Sequence, residues 1–408
     1  MSHSLGQWLN QSLAFVLLAG AASLTQAHEA AVQPGRPWGL NDVSILYPLP
    51  ESRSDLGDLI PPQEHGLKGA WFPYDVYRRL PAIDHAKPAD QTYQVLRVVG
   101  IRLDPCFKSD GNCLQQVRLV WQPVAPASYG SSAEYGVLEA KDAAIHTLYT
   151  LTPTMFEALL TDYAALVKAT GLDLRDEPLQ IHPVLLKQGL DGKFATRLRS
   201  LLSKYVGPAT LWRATAMQGL PGDDEWSFTG FNVRDGVLHD LLIPRLGTRS
   251  QRLQVAQLDH SSFANGLVHP LPDEAEDNYL PDILRERSAN RVPKSAKALA
   301  IAIADIENPA RNTPETVDCV SCHAAQPAGS LLSRTLSALH NQPEVKAHVF
   351  QSRLPLRNSG LHLADTHVLR AFGYIDRDPA ISRRVTNESA DVVRQLNGDP
   401  LEIQTAGD

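Results

Sequence analysis

The pattern of apolar positions predicts strands, then helices, then strands again over the first two thirds of the chain. Four runs are rich in β-branched and apolar residues, and two others repeat apolar residues at helical spacing. The strand-like runs cover 93–103, 116–121, 210–218 and 225–243, and the helical stripes cover 156–167 and 194–205. Proline is frequent over 28–90, where we expect irregular chain. The order of elements predicts an α+β N-terminal domain over residues 28–268.

Capping and turn residues mark the ends of several of these elements. Thr152 is suited to cap a helix whose first residue is Pro153. Asp191 is expected to begin the second helix. Between two alternating runs, Asp235 and Gly236 predict a tight hairpin turn.

The pattern changes after residue 268. Residues 269–282 are acidic and rich in proline, which indicates a linker between domains. Further helical patterns cover 296–306, 331–339 and 387–396. We therefore expect a second domain over residues 283–408 that is small and mostly α-helical.

The N-terminus has the pattern of an export signal. An apolar run at 13–24 is followed by Thr25-Gln26-Ala27, which predicts a secretory signal peptide over residues 1–27, cleaved after Ala27. A retained membrane anchor is the alternative, but this run is shorter than the roughly 20 apolar residues that a membrane span needs. The mature protein is thus expected in the periplasm or otherwise exported, with no membrane span after signal cleavage.

Composition excludes some classes of function and gives the cysteines their meaning. The chain has 45 acidic and 38 basic residues, a formal net charge of −7 and no block of Lys or Arg, so no nucleic-acid partner is expected. Nearby cysteines of an exported protein form disulfides. Cys106 and Cys113 flank turn residues between two predicted strands, and we expect a disulfide there that contributes about 2.5 kcal/mol.

The strongest motif is Cys319-Val320-Ser321-Cys322-His323, the attachment pattern of c-type haem. Two thiols add to the two vinyl groups of one porphyrin, and the next residue offers an imidazole to the iron. Three other readings compete with this one. A redox-active Cys-x-x-Cys usually follows a strand, a zinc site needs a second Cys or His pair, and a plain disulfide leaves His323 without a role.

With this motif, residues 283–408 resemble the class I monohaem cytochrome c family. In that family a helix precedes the motif and a C-terminal helix packs across it, and this chain has helical patterns at 296–306 and 388–397. The resemblance implies one covalent haem c, with Cys319 and Cys322 as thioether attachments and His323 as the proximal iron ligand. Residues 28–268 show no such resemblance.

The distal iron ligand departs from the family pattern. The family usually supplies a methionine after the motif, and this chain has none after His323. Met155 and Met217 are expected in the core, although Met217 stays an alternative ligand. We favour His367 as the distal ligand and His362 as the second candidate, because they lie before the C-terminal helix.

The remaining histidines show no useful spacing, and the functional alternatives depend on the distal position. His340 and His348 also follow the motif, whereas His146 and His182 show no metal-ligand spacing and are expected to be ordinary. The favoured function is a c-type cytochrome that exchanges electrons with a redox protein partner in the cell envelope. The alternatives are a haem-dependent enzyme or gas or peroxide sensor with an open distal position, and a scaffold with a structural haem.

Overall fold

The computed structural model describes residues 37–399, apart from 82, 84–86, 110, 128–135, 220–224, 256–261, 265–295, 336 and 358–368. The predicted signal peptide at 1–27 and the predicted linker at 269–282 lie outside the described residues. The same holds for both favoured distal candidates, His362 and His367.

The described residues contain fourteen strands and ten α-helices, so the chain is a mixed α+β protein. The strands are β1 (Ser44–Leu46), β2 (His65–Gly66), β3 (Gly69–Ala70), β4 (Leu96–Ser109), β5 (Asn112–Pro126), β6 (Leu138–Ala140), β7 (Ala143–Leu151), β8 (Leu211–Gly219), β9 (Glu225–Arg234), β10 (Val237–Asp240), β11 (Ser250–Val255), β12 (Ser262–Ala264), β13 (Phe372–Ile375) and β14 (Asp378–Ile381). The α-helices are α1 (Leu40–Val43), α2 (Tyr74–Tyr77), α3 (Ala89–Val95), α4 (Pro153–Lys168), α5 (Pro183–Gln188), α6 (Lys193–Leu202), α7 (Ala296–Glu307), α8 (Cys319–Thr335), α9 (Pro343–Lys346) and α10 (Arg383–Asn397). Short 3₁₀ helices cover Arg53–Asp58 and Ser337–Asn341.

A ten-stranded antiparallel sheet dominates the described part of the chain. Its order is β1-β4-β5-β7-β8-β9-β11-β12, with β6 paired to β5 and β10 paired to β9. Tight turns join β4 to β5 and β9 to β10, whereas helices α4 to α6 lie between the paired strands β7 and β8 along the chain. Two small hairpins, β2–β3 and β13–β14, form separate two-stranded sheets.

The β4–β5 hairpin is the longest pair and extends well beyond the runs that the sequence indicates. Its register places Arg102 opposite Arg118. At its tip Cys106 and Cys113 form the expected disulfide, with their Cα atoms 4.4 Å apart. The hairpin is longer than the predicted runs because residues near its tip also pair across the two strands, although their sequence is mostly polar.

The capping and turn predictions are largely confirmed. The Thr152 hydroxyl accepts a hydrogen bond from the Met155 amide at 3.3 Å, and α4 begins at Pro153. Asp235 and Gly236 adopt positive φ angles of 51° and 75° between β9 and β10, as a tight hairpin requires. The predicted start of the second helix at Asp191 is wrong by two residues, because extended backbone at Gly192 delays helix α6 to Lys193.

Both halves of the chain contribute to two hydrophobic cores. The first core contains much of the sheet and helices α4 to α6, and it also holds Phe372, Tyr374 and Val393 from the C-terminal part. The second joins Met217 and Phe228 of the sheet to apolar residues of α7 and α8. Helix α8 therefore packs on strand β11 of the sheet, and α7 packs against α8. The division of the chain at the linker stays a prediction.

A close approach between β4 and β13 gives a test of this packing. A Cβ atom on Gly100 would lie 2.6 Å and 2.8 Å from two ring carbons of the buried Phe372. We expect Gly100→Ala to cost about 1–3 kcal/mol of unfolding free energy, because the ring must shift within a packed core. Urea denaturation measures this loss. Gly57→Ala is the control, since its added methyl meets nothing within 4 Å, and equal stability of the two variants would contradict the prediction.

Candidate cofactor site

The first turn of α8 is fixed to strand β11 by buried polar side chains. The Asp318 carboxylate accepts hydrogen bonds from the Ser321 amide at 3.0 Å and from the Gln251 side chain at 2.6 Å. Gln251 in turn accepts a hydrogen bond from the Val320 amide at 3.0 Å. Burial raises the pKa of Asp318, and these hydrogen bonds act against that rise. The sequence therefore presents Cys319 and the residues after it from a helix end that is held in place.

The three motif side chains, those of Cys319, Cys322 and His323, line one cavity. This α8 cavity lies between the helix and one face of the sheet, and it measures about 1320 Å³ including the solvent at its mouth. Both cysteines are free and half-buried. Burial raises the pKa of Cys319 to about 12 and that of Cys322 to about 11, so both are protonated thiols at neutral pH.

The His323 ring is oriented by a backbone carbonyl. Its Nδ1 lies 2.7 Å from the carbonyl oxygen of Leu369, and its ring centre lies 5.0 Å from that of Phe228. Because a carbonyl only accepts hydrogen bonds, Nδ1 carries the proton and Nε2 keeps a free lone pair. Burial lowers the pKa of His323 to about 4, although the bond to Leu369 acts in the opposite direction. This is the tautomer and charge state that a metal-binding histidine needs.

The sheet face opposite α8 carries three rows of side chains, each set by strand register. Residues paired across neighbouring strands, and alternate residues on one strand, point to the same face. The apolar row is Ala144, Met217 and Phe228; the middle row is Val120, His146 and Thr215; the arginine row is Arg102, Arg118, Leu148 and Arg213. Every one of these residues lines the α8 cavity.

His146 is the functional candidate that sequence reasoning missed. It lines the same cavity as His323, and burial, followed by the charges of Arg118, His323 and Arg370, keeps its pKa well below the ordinary value. Strand pairing brings His146 there, and spacing along the chain does not reveal such pairing. The only sequence signal is the alternation of Ala144, His146 and Leu148 on one face of a strand.

The position of Met217 is compatible with both of its expected roles, as a core residue and as an alternative iron ligand. It is buried in the second core, as expected, and it also lines the α8 cavity. Its partner across the strands is Phe228, whose ring contacts that of His323. Met155, by contrast, lies on α4 and packs partly buried against the first core.

Arginine side chains give the cavity a cationic edge. Five arginines and two glutamates line it: Arg102, Arg118, Arg213, Arg370, Arg384, Glu315 and Glu388. Arg102 and Arg384 both pair with Glu388, and Arg213 pairs with Glu315. The Nε atom of Arg118 is buried with no hydrogen-bond partner among the described residues. An excess of buried guanidinium groups favours an anionic guest such as a carboxylate.

These features fit a haem c. Two free thiols and an imidazole share one helix face, an apolar surface lies opposite, and a cationic edge suits the two carboxylates that a haem carries. In the described residues no group of three or more His, Cys, Asp or Glu is arranged to hold a bare metal ion.

Of the other histidines after the motif, two lie in the described residues and two lie outside them. His348 lies 2.7 Å from the Asp305 carboxylate through Nδ1, away from the residues that line the cavity. His340 belongs to a 3₁₀ helix. His362 and His367 lie outside the described residues, which resume at Leu369.

Comparisons with protein-family models, with curated proteins and with solved structures find no match for this chain. Within the part of the chain that the structure describes, no helix is both long enough and apolar enough to cross a membrane.

Proposed function

We propose that this chain is an exported c-type cytochrome that binds one covalent haem c and exchanges electrons with a redox protein partner in the cell envelope. The observation that carries the proposal is the α8 cavity, where Cys319, Cys322 and His323 face a wall of apolar and cationic side chains. When bound, the haem supplies one-electron iron chemistry.

Each part of the chain has a distinct task in this proposal. Cys319 and Cys322 hold the porphyrin edge through thioether bonds, and His323 offers Nε2 to the iron. The Leu369 carbonyl fixes the His323 ring, since it holds the proton on Nδ1 at 2.7 Å. The apolar row excludes water from the ring, and Arg118 of the arginine row, whose Nε has no partner among the described residues, is available to the haem carboxylates.

The packing of three helices supports the finer proposal of a cytochrome c-like arrangement around the motif. A Cβ on Gly329 of α8 would lie only 3.1 Å from Ile303 of α7, so these helices pack closely. Helix α10 crosses the end of α7, where Arg384 donates to the Ile306 carbonyl at 2.7 Å and Asn387 donates to the Glu307 carbonyl at 2.9 Å. In the resembling family, a preceding helix and a C-terminal helix flank the motif in this way.

Replacing the two motif cysteines tests the attachment. We expect the double variant Cys319→Ala and Cys322→Ala to lose all covalent haem, because no thiol is left to form either thioether bond. The wild type and this double variant are both produced with their own N-terminus in a host that matures c-type cytochromes. The intact mass of the denatured protein measures the mass that covalent haem adds. The same mass shows whether the signal peptide has been cleaved after Ala27.

The second cysteine pair provides a matched control. The double variant Cys106→Ala and Cys113→Ala removes the disulfide at the tip of the β4–β5 hairpin, whose two Cα atoms lie 4.4 Å apart. This variant is expected to keep its haem. Absence of covalent haem from the wild-type protein after this maturation would contradict the proposal. Loss of haem in both double variants would show that the effect is not specific to the motif.

A further inference from the structure

The three rows on the sheet face mark how a haem fits the α8 cavity. Consecutive rows are two residues apart on each strand, which is about 7 Å. The apolar row lies beside His323 through Phe228, whose ring centre is 5.0 Å from that of the histidine. At the other end, Arg102, Arg118 and Arg213 form the arginine row.

The chemistry of the rows orients the guest. A haem has an apolar ring and carries both carboxylates on one edge, so that edge belongs at the arginine row and the opposite edge at the apolar row. The iron occupies the centre of the ring. The middle row, which lies between the other two, is therefore the row that faces the iron.

Within the middle row His146 alone has a strong iron ligand, because Val120 has no polar atom and Thr215 has only a hydroxyl. No hydrogen bond joins the His146 ring to any described residue, and the ring faces the cavity. The His146 side chain is half-buried at the cavity wall, so its ring nitrogens are available to a guest in the cavity.

Met217 is the other ligand type on this face, and its position is less suitable. It stands in the apolar row, one row away from the middle, and packs in the second core with Trp226 and Leu253. Its neighbour across the strands, Phe228, contacts the ring of His323 itself. Met217 therefore belongs to the apolar packing on the His323 side.

We propose that His146 is the second axial ligand of the haem iron, which is then held between a helix histidine, His323, and a strand histidine. This inference rests on the proposed haem binding, and it assigns the distal position to the sheet instead of to His367 or His362. Two imidazole ligands make the iron low-spin and close it to small molecules, which favours electron transfer over the sensor and enzyme alternatives.

The test uses the full-length protein with its covalent haem and reads the spin state of the iron. In the wild type we expect low-spin ferric iron by electron paramagnetic resonance and no carbon monoxide adduct after reduction. His146→Ala should convert the iron to high spin and bind carbon monoxide at once, and added imidazole should restore low spin. His146→Met should stay low-spin, with a sulfur-to-iron charge-transfer band and a raised reduction potential.

Matched variants separate the candidates. Met217→Leu, His362→Ala and His367→Ala should each keep the wild-type spectrum. The inference fails if the wild type is high-spin, if His146→Ala stays low-spin and closed to carbon monoxide, or if one of the other three variants becomes high-spin instead. Should His146→Ala fail to fold, His146→Gln keeps a side chain of similar size and is read in the same way.

The mass of the denatured protein distinguishes failure of the proposed haem binding from failure of the assignment of His146. Absence of covalent haem from the wild type overturns the proposed function. Covalent haem in every variant, together with an unchanged spectrum in the His146 variants, overturns only the assignment of His146.

Discussion

Acidification from pH 6.5 to pH 3 should remove about 5 kcal/mol of folding stability through His182 alone, because burial lowers the pKa of this histidine from its ordinary value of 6.5 to about 3. Between those pH values the unfolded chain binds a proton that the folded chain does not bind. The contribution of His182 is therefore fully present above pH 6.5 and is lost as the pH falls. Domains are usually stable by only about 5–15 kcal/mol, so this loss is large.

The surroundings of His182 explain why its charged form is excluded. The residue is 1% exposed and its ring stacks on Phe194 at 5.0 Å between centres. Neither ring nitrogen has a hydrogen-bond partner among the described residues. Its backbone amide donates to the Leu46 carbonyl at 2.9 Å, which keeps the residue in place at the start of α5. Among the described residues, no charged group offsets the effect of burial on the imidazole.

Urea denaturation of the wild type and of His182→Leu at several pH values between 4.5 and 7 tests this expectation. His182→Leu should remove most of the pH dependence, and it should raise stability at pH 7 by about 1–3 kcal/mol because two unpaired polar atoms leave the core. His239→Leu, at an exposed histidine of β10, is the control and should keep the wild-type slope. Identical slopes for the wild type and His182→Leu would show that the imidazole does not resist protonation.

The features that the sequence predicts are those with local causes. The cap at Thr152, the turn at Asp235 and Gly236, and the five-residue haem motif each depend on neighbours within a few positions. Sequence alone also suffices to expect a strand, helix and strand order. Each of these signals is complete within one short segment.

The opposite wall of the site has causes that are not local. His146 meets the cavity because β7 pairs with β5 and β8 in one register, and a shift of one residue would turn its ring to the other face. The β13–β14 hairpin, which holds Phe372 against Gly100, was not expected in a segment that reads as mostly helical. Such features depend on pairings between distant segments, whose energies a single sequence does not display.

Arg102 is the clearest of these distant pairings, and its removal should cost about 3–5 kcal/mol of unfolding free energy. It is 5% exposed and pairs with Glu388, which lies 286 residues further along the chain. Its guanidinium also donates to the Val385 carbonyl at 2.8 Å and to the Ser389 hydroxyl at 2.9 Å. Arg102→Met removes these hydrogen bonds and leaves part of the buried Glu388 charge without a partner.

The carboxyl of Glu388 reports on the same pairing through its pKa. Burial alone raises this pKa, but the guanidinium groups of Arg384, Arg102 and Arg118 outweigh burial and hold it at about 2. The stability that Glu388 contributes is therefore present above its ordinary pKa of 4.5 and is lost as the pH falls towards 2. Without Arg102 the folded-state pKa should rise, and acid unfolding should begin at a higher pH than in the wild type.

Denaturation of the haem-loaded protein at pH 7 measures the cost of Arg102→Met, and an acid titration followed by circular dichroism measures the shift. Lys204→Ala is the control, because its pair with Asp162 is exposed and should contribute at most about 1 kcal/mol. The double variant Arg102→Met and Glu388→Met should not recover the lost stability, because the buried Arg384 also pairs with Glu388 and would lose that partner. If Arg102→Met lies within 1 kcal/mol of the wild type, then β4 and α10 are held together by apolar packing and this ion pair is not what joins them.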